Sequence, residues 1–300
     1  MTITAIKEAT IGKPKTRLGT TIYPIFLPDN SPKNIKIATD DLIVSELESA
    51  SVPQIQVHNP TDNPLLIPAG KVLSGGRQTR TVNVSILVAA GSTIIIPVSC
   101  VEAGRWHGGH RFEDSKRFAS RRVRMDMQRG VARNVKNLRM KMSDQGAVWD
   151  SIDAELISRH LSSDTKNFLF AEESLNDEKK RFTAVQELLN EGPEPLQNGI
   201  AIAQGHEVVS VEMFASPDAL KSSYEALIRS AIFDSPDKKV KSPSEGAVQK
   251  FLDQILSAET TEATGVGLGT EYHIENDKFV AHALAYEGKF LHANAFATLV

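Results

Sequence analysis

Residues 52–98 read VPQIQVHNPTDNPLLIPAGKVLSGGRQTRTVNVSILVAAGSTIIIPV, and the fold class turns on this stretch. Short runs of Val, Ile and Leu alternate with clusters that stop regular structure. Val52–Val57 puts Ile55 and Val57 on one face of an extended segment. Asn59-Pro60-Thr61-Asp62-Asn63-Pro64 is turn chemistry, and so is Pro68-Ala69-Gly70. Leu65–Ile67, Lys71–Leu73, Thr81–Val88 and Thr93–Val98 read as further strands. Turn signals recur roughly every ten residues, the spacing of an antiparallel sandwich or barrel. Upstream, Thr20–Leu27 and Leu42–Glu48 extend the pattern, with Pro28-Asp29-Asn30-Ser31-Pro32 as a stop between them.

Downstream the character changes near Gly104. Gly108-Gly109 marks a loop, and Phe112–Met142 then reads as helix, with Gly130 as the candidate break point. Val131, Val135, Leu138 and Met142 recur at the spacing of one apolar helical face. Ala147–Leu161 and Asp177–Asn190 also read as helices, the second ended by Gly192-Pro193-Glu194-Pro195. Asn198–Phe214 is a hairpin turning at Gln204-Gly205-His206. Ser216 caps a helix that has Pro217 in its first turn and runs to about Phe233. Asp234–Pro243, charged and with two prolines, reads as an exposed loop. Ser244 caps another helix, to about Ala258. Tyr272–Ile274, Phe279–Tyr286 and Phe290–Phe296 form a closing meander, joined at Asn276-Asp277 and Glu287-Gly288.

The sum is an α+β chain: an N-terminal antiparallel sandwich or barrel-like part, a central helical block, and a C-terminal mixed α/β segment ending in a β meander. The division expected is a β-rich part over 1–110 and a helical and mixed part over 111–300, or one integrated domain. The terminal strands either rejoin the N-terminal sheet or build a second domain. Oligomeric state is not legible.

Of the 300 residues 41% are hydrophobic and 24% charged, which excludes a disordered or fibrous chain. Thirty-four Lys and Arg against 37 Asp and Glu exclude a polycation, so a nucleic-acid role needs a local basic patch. The single cysteine, Cys100, excludes an internal disulfide and a multi-cysteine zinc site. The N-terminus has no signal-peptide apolar run, and no stretch approaches the ~20 apolar residues of a bilayer span. The expectation is a cytoplasmic protein without a membrane partner.

Two segments carry chemistry. In Gly75-Gly76-Arg77-Gln78-Thr79-Arg80-Thr81-Val82-Asn83, paired glycines allow close backbone approach, arginine forks suit phosphate or carboxylate, and amides suit sugar or base edges. The bland reading is a bulged hairpin with polar residues. In Pro97–Trp106, Glu102 is a candidate general acid or base, Arg105 an anion clamp and Trp106 a stacking platform. Cys100 is a candidate nucleophile, against the commoner buried inert thiol.

Other features are weaker. His107 and His110 are two loop histidines without the further ligands zinc needs, so no metal is expected there. From Arg111 to Lys141 there are eleven Lys or Arg against Glu113, Asp114 and Asp126, with Arg117, Arg121 and Arg124 on one helical face. That block is a candidate surface for nucleic acid or a protein partner, but it is poor in aromatics for base stacking, and a solvated or self-paired helix competes. Gly265-Val-Gly267-Leu-Gly269 lacks the spacing and strand-to-helix order of the dinucleotide fingerprint, and reads as a flexible entry or as small residues under close packing. His282 and His292 read as satisfied core or face histidines.

The run Ala69–Asn83, AGKVLSGGRQTRTVN, and the run Ile96–Trp106, IPVSCVEAGRW, resemble the ARG-and-rhodanese-phosphatase-superfamily-associated domain, a family of unknown function. LGTTIYPIFL, VPQIQVHN and the late LHANAF also fit its layout, so the resemblance spans most of the chain. Gly76, Gln78 and Arg80 match its pattern, as does Val98–Trp106. Lys71 departs from it, standing where the family often has an acidic residue. The family's association with ADP-ribosylglycohydrolases implies an ADP-ribose or NAD-related context and no particular reaction or cofactor. The expectation is a nucleotide-derivative site where the two segments converge, with Arg77, Gln78, Arg80, Asn83, Ser99, Cys100, Arg105 and Trp106 as ligand contacts and Glu102 as catalytic carboxylate. The alternative is a non-catalytic module using residues 111–141. A third reading makes Glu102 and Arg105 a buried pair that only fixes the loop.

Overall fold

A computed structural model of the chain describes residues 4–28, 32, 34–38, 40–236 and 241–298. Residues 29–31 of the expected Pro28–Pro32 stop and 237–240 of the expected Asp234–Pro243 loop lie outside the described residues. The chain is α+β and forms two compact units. One comprises 34–175 and 263–269; the other comprises 1–33, 176–262 and 270–300. Residue 110 therefore falls inside a unit, because the barrel described next needs a strand from beyond it to close.

In the first unit six strands close a barrel in the order Thr93–Cys100, Gln54–His58, Ile43–Ser45, Arg111–Phe118, Lys71–Gly75 and Arg80–Val82. Thr93–Cys100 is long enough to serve two neighbours: its first half pairs with Gln54–His58 and its last residues with Arg80–Val82. Alternation turns Val44, Ile55, Val57, Leu73, Val82, Ile96, Val98 and Phe112 into one buried apolar cluster. The expected Thr81–Val88 strand is two strands. Arg80–Val82 stays in the barrel, and Ile86–Val88 joins a small sheet with Leu65–Ile67 and Lys36–Ile37.

Two local expectations are corrected. Arg111–Phe118 is a strand, not the start of a helix, and the helix is Arg121–Leu138. The segment RFEDSKRF looks helical by composition, but it gains two antiparallel partners that no isolated helix offers. Ser120 then caps the helix, accepting from the Val123 amide. Gly130 lies inside this helix and does not break it. A Cβ there would sit 2.5 Å from the Asp144 amide nitrogen, so the glycine lets the 143–144 backbone pass close by. The buried stripe is Val123, Met127, Val131 and Val135, whereas Leu138 is exposed.

The second unit is built on an antiparallel sheet. Its order runs from Thr10–Ile11 through Thr20–Phe26, Gly199–Gln204, Glu207–Phe214, Lys289–Ala297 and Phe279–Tyr286 to Thr270–Glu275. The closing meander and the hairpin over 199–214 thus share a sheet with the N-terminal strand. On one face Tyr23, Ala201, Met213, Ala281 and Ala293 pack with Val248, Phe251, Leu252 and Ile255 of the helix Glu245–Ser257. The helix Pro217–Phe233, capped by Ser216 as expected, packs on Gly199–Gln204 and Glu207–Phe214. Among the described residues no helix is long and apolar enough to cross a membrane.

Candidate functional site

The two chemistry-bearing segments meet at one end of the barrel. Gly75 and Gly76 take φ of 98° and 51° and turn the chain between Lys71–Gly75 and Arg80–Val82. A Cβ on Gly76 would lie 2.2 Å from the Phe112 ring, so only glycine fits this approach. Cys100 stands opposite Arg80 across the strands, and Arg80 stands opposite Leu73 of the barrel core. Arg80 and Cys100 therefore lie on the same side as the core valines, beyond them.

Glu102 is 3% exposed and is held from two sides. Its Oε2 accepts from the Thr79 amide at 3.0 Å, from Thr79 Oγ1 at 2.9 Å and from Arg105 Nη2 at 2.7 Å. Its Oε1 accepts from Arg105 Nε at 2.9 Å. Burial pushes this carboxyl up, but Arg105 and the two Thr79 donors outweigh burial and hold it below the ordinary carboxylate value. Arg105 spends its remaining donors on the carbonyls of Gly76, His107 and Gly75 at 2.9, 2.8 and 3.2 Å. The pair ties the 75–79 turn to the 102–107 loop.

Arg80 is different. It is fully buried, and its Nη1 donates to Gln78 Oε1 at 2.9 Å. Its Nε and Nη2 have no hydrogen-bond acceptor among the described residues. Burial lowers its pKa, partly offset by the nearby Cys100 and Glu46. Glu46 is itself buried. Its Oε1 accepts from the Arg77 amide at 2.7 Å, while its Oε2 has no hydrogen-bond donor among the described residues. The Trp106 ring, 43% exposed, carries the Arg77 and Arg80 guanidinium groups at 5.6 and 5.8 Å from its centre. Gln78 completes the join by donating to the Glu102 carbonyl at 2.9 Å.

Cys100 is buried, its thiol donates to the Glu102 carbonyl at 2.8 Å, and burial pushes its pKa up. That is the setting of an inert thiol. Asn83 and Ser99 are not brought to this cluster. Ser99 pairs with Thr81 across the strands, one residue out of step with the Cys100–Arg80 pair, so it faces the other side. Its hydroxyl donates to Asn83 Oδ1 at 2.6 Å and meets Ser143 Oγ at 2.5 Å, and Asn83 Nδ2 donates to the Lys141 carbonyl at 3.1 Å. These two residues pin the 141–143 segment. Lys71, the departure from the family pattern, is buried against Asp114 at 2.9 Å, and burial lowers its pKa. The pair borders a cavity of about 330 Å³.

A family model for the ARG and Rhodanese-Phosphatase-superfamily-associated Protein domain matches residues 8–296. The chain belongs to that family. No curated protein and no solved structure matches the chain. In this family member, Gly76, Gln78, Glu102 and Arg105 of the recognised strings hold one another in place, and Arg80 and Trp106 are the groups with capacity to spare.

The basic block is largely engaged within the chain. Arg117 lies on a strand, so it shares no helical face with Arg121 and Arg124, and it pairs with Glu172 at 2.9 Å. Arg124 is buried against the Phe118 ring and donates to the Ala69 carbonyl at 3.1 Å. Lys116 pairs with Asp40 and Asp114, and Arg129 with Asp126.

One cluster was not singled out as a site from the sequence. On the sheet face opposite the alanines, His273 stands across from His282, His282 from Asn294, and Asn294 from Glu212. Leu284 has Glu271 and His292 as its two cross-strand neighbours. All six polar side chains are at most 3% exposed. Glu271 Oε2 lies 3.0 Å from His273 Nε2, and Glu212 Oε1 lies 2.9 Å from His292 Nε2. The signal was present as alternation in EYHIE, AHALA and LHANA, where the Glu, His and Asn residues keep one parity, shared with Leu284, and the alanines, Tyr272, Ile274 and Leu291 keep the other. Register alone shows that these parities coincide.

Proposed function

We propose that the chain binds an anionic nucleotide derivative, in an ADP-ribose or NAD-related context, at the barrel end where residues 76–80 and 100–106 meet. One observation carries the reading: Arg80 is fully buried with two guanidinium nitrogens lacking an acceptor. Leaving a buried donor unsatisfied costs about 1–3 kcal/mol, and more for a charged group. A phosphate or carboxylate oxygen would supply what the fold withholds. Trp106, half-exposed and resting on the same guanidinium, offers a face for a base. The ligand class is the expectation that the sequence resemblance carries, an ADP-ribose or NAD-related context. Glu102, with its acceptors committed to Arg105 and Thr79, serves this reading as the organiser of the loop.

The test is a thermal-shift series with ADP-ribose, NAD, AMP, pyrophosphate and short RNA at two salt concentrations. A ligand present at a hundredfold over its Kd adds about 2.7 kcal/mol, a readable shift. The expected result is a shift with ADP-ribose or NAD that Arg80→Met abolishes and Arg77→Ala only weakens. A shift of equal size in Arg80→Met would refute the assignment. A shift confined to RNA and lost at higher salt would transfer the function to residues 111–141.

A further inference from the structure

We infer that Glu271, His273 and His282 form a binding site for a first-row divalent metal of the zinc class, independent of the barrel-end reading. One ligating atom from each of the three lies within 4.8 Å of the others, and all three side chains are buried. A tetrahedral zinc with ~2.0–2.1 Å bonds sets its ligand atoms about 3.4 Å apart, so closure needs side-chain shifts of about 1.5 Å at most. The His273 and His282 rings are already 4.9 Å apart, centre to centre, and Glu271 already touches His273 at 3.0 Å.

Glu271 and His273 already form one hydrogen-bonded pair, so a cation would enter a set of donors that the strands have brought together. The three side chains sit on adjacent strands of a rigid antiparallel pair, His273 directly opposite His282 and Glu271 two residues along the same face. Strands hold ligating atoms in place better than loops do. Two imidazoles and one carboxylate suit zinc with an open fourth position, or iron, and they do not suit calcium or magnesium, which prefer all-oxygen shells. The neighbouring Asn294 and the Glu212–His292 pair continue the polar stripe beside the three ligands, where outer hydrogen-bonding groups around metal sites are commonly found.

The experiment uses the full chain with any affinity tag removed. Metal content is measured as purified, and zinc is then titrated into chelator-treated protein against a chromogenic competitor. Cobalt is added to a second portion to read its visible absorption. The expected result is one equivalent of zinc, a cobalt spectrum of four- or five-coordinate nitrogen and oxygen ligation, and at least a hundredfold weaker zinc binding in Glu271→Gln and in His282→Gln. The exposed pair His107→Ala/His110→Ala should retain the full equivalent. If either single variant fails to fold, the other and the cobalt spectrum decide. Less than a tenth of an equivalent at micromolar zinc would overturn the inference. So would one equivalent retained in a folded His273→Ala/His282→Ala variant. Neither result bears on nucleotide binding through Arg80.

Discussion

Arg105→Ala tests whether the recognised loop is held by a buried ion pair. The Glu102 side chain is 4% exposed and that of Arg105 is 21% exposed. Removing one partner of a buried pair costs about 3–5 kcal/mol, because the other charge is left uncompensated. Here two of the four bonds to Glu102 come from Thr79 and survive, and Arg105 keeps some contact with solvent. The expected loss is therefore near the lower end, about 3 kcal/mol. Glu102→Ala strands the Thr79 amide and hydroxyl but leaves Arg105 its three carbonyls, for about 2–3 kcal/mol. The double variant should fall short of the sum by about 2 kcal/mol, since each single change already breaks the same pair. Two compact units need not unfold together, so the readout must belong to the right one. Both tryptophans, Trp106 and Trp149, lie in the barrel unit, and their fluorescence during urea unfolding reports that unit. Losses below about 1 kcal/mol for each single variant, adding up in the double variant, would mean that the pair behaves as a surface bridge and organises nothing.

The remaining expectations use the same readout. Arg80→Met should leave the ligand-free protein as stable as the parent or more so, because a buried cation with unsatisfied donors is exchanged for an apolar chain of similar size; a loss of several kcal/mol would show that Arg80 is a structural cation. Glu102 has a folded pKa below its unfolded value of about 4.3, so its contribution is present above that pH and is lost as pH falls through the folded value. The Tm difference between the parent and Glu102→Gln should therefore hold steady from pH 7 to 5 and shrink toward pH 3, and a difference that does not shrink would disconnect it from the carboxylate charge. Gly267→Ala should cost about 1–3 kcal/mol, since its Cβ would stand 2.1 Å from the Leu87 carbonyl, which accepts from the Leu268 amide; a parent-like midpoint would mean that this segment is not seated there.

What was legible in the sequence was local. Turn chemistry between residues 59 and 93 separated the barrel strands because Pro, Asn and Gly act on their own backbone, and Ser216-Pro217 started a helix for the same reason. The strand Arg111–Phe118 was not legible, since its partners are Ile43–Ser45 and Lys71–Gly75, some 40 to 70 residues away in the chain, and six of its eight residues are polar. The split of Thr81–Val88 between two sheets has the same cause. The histidine stripe also depends on register among four strands, which no single window of sequence contains. The candidate site divides along this line. Both segments were found by residue type, and they do converge, yet type alone gave Arg80 and Arg105 the same role. Burial and geometry separate them: Arg105 answers a carboxylate three residues before it, and Arg80 faces the barrel end with nitrogens to spare. A family's signature can thus record the frame of a site as much as its contacts. Here Glu102 and Arg105 are the frame, and Arg80 beside Trp106 is the contact that the proposed ligand site would use.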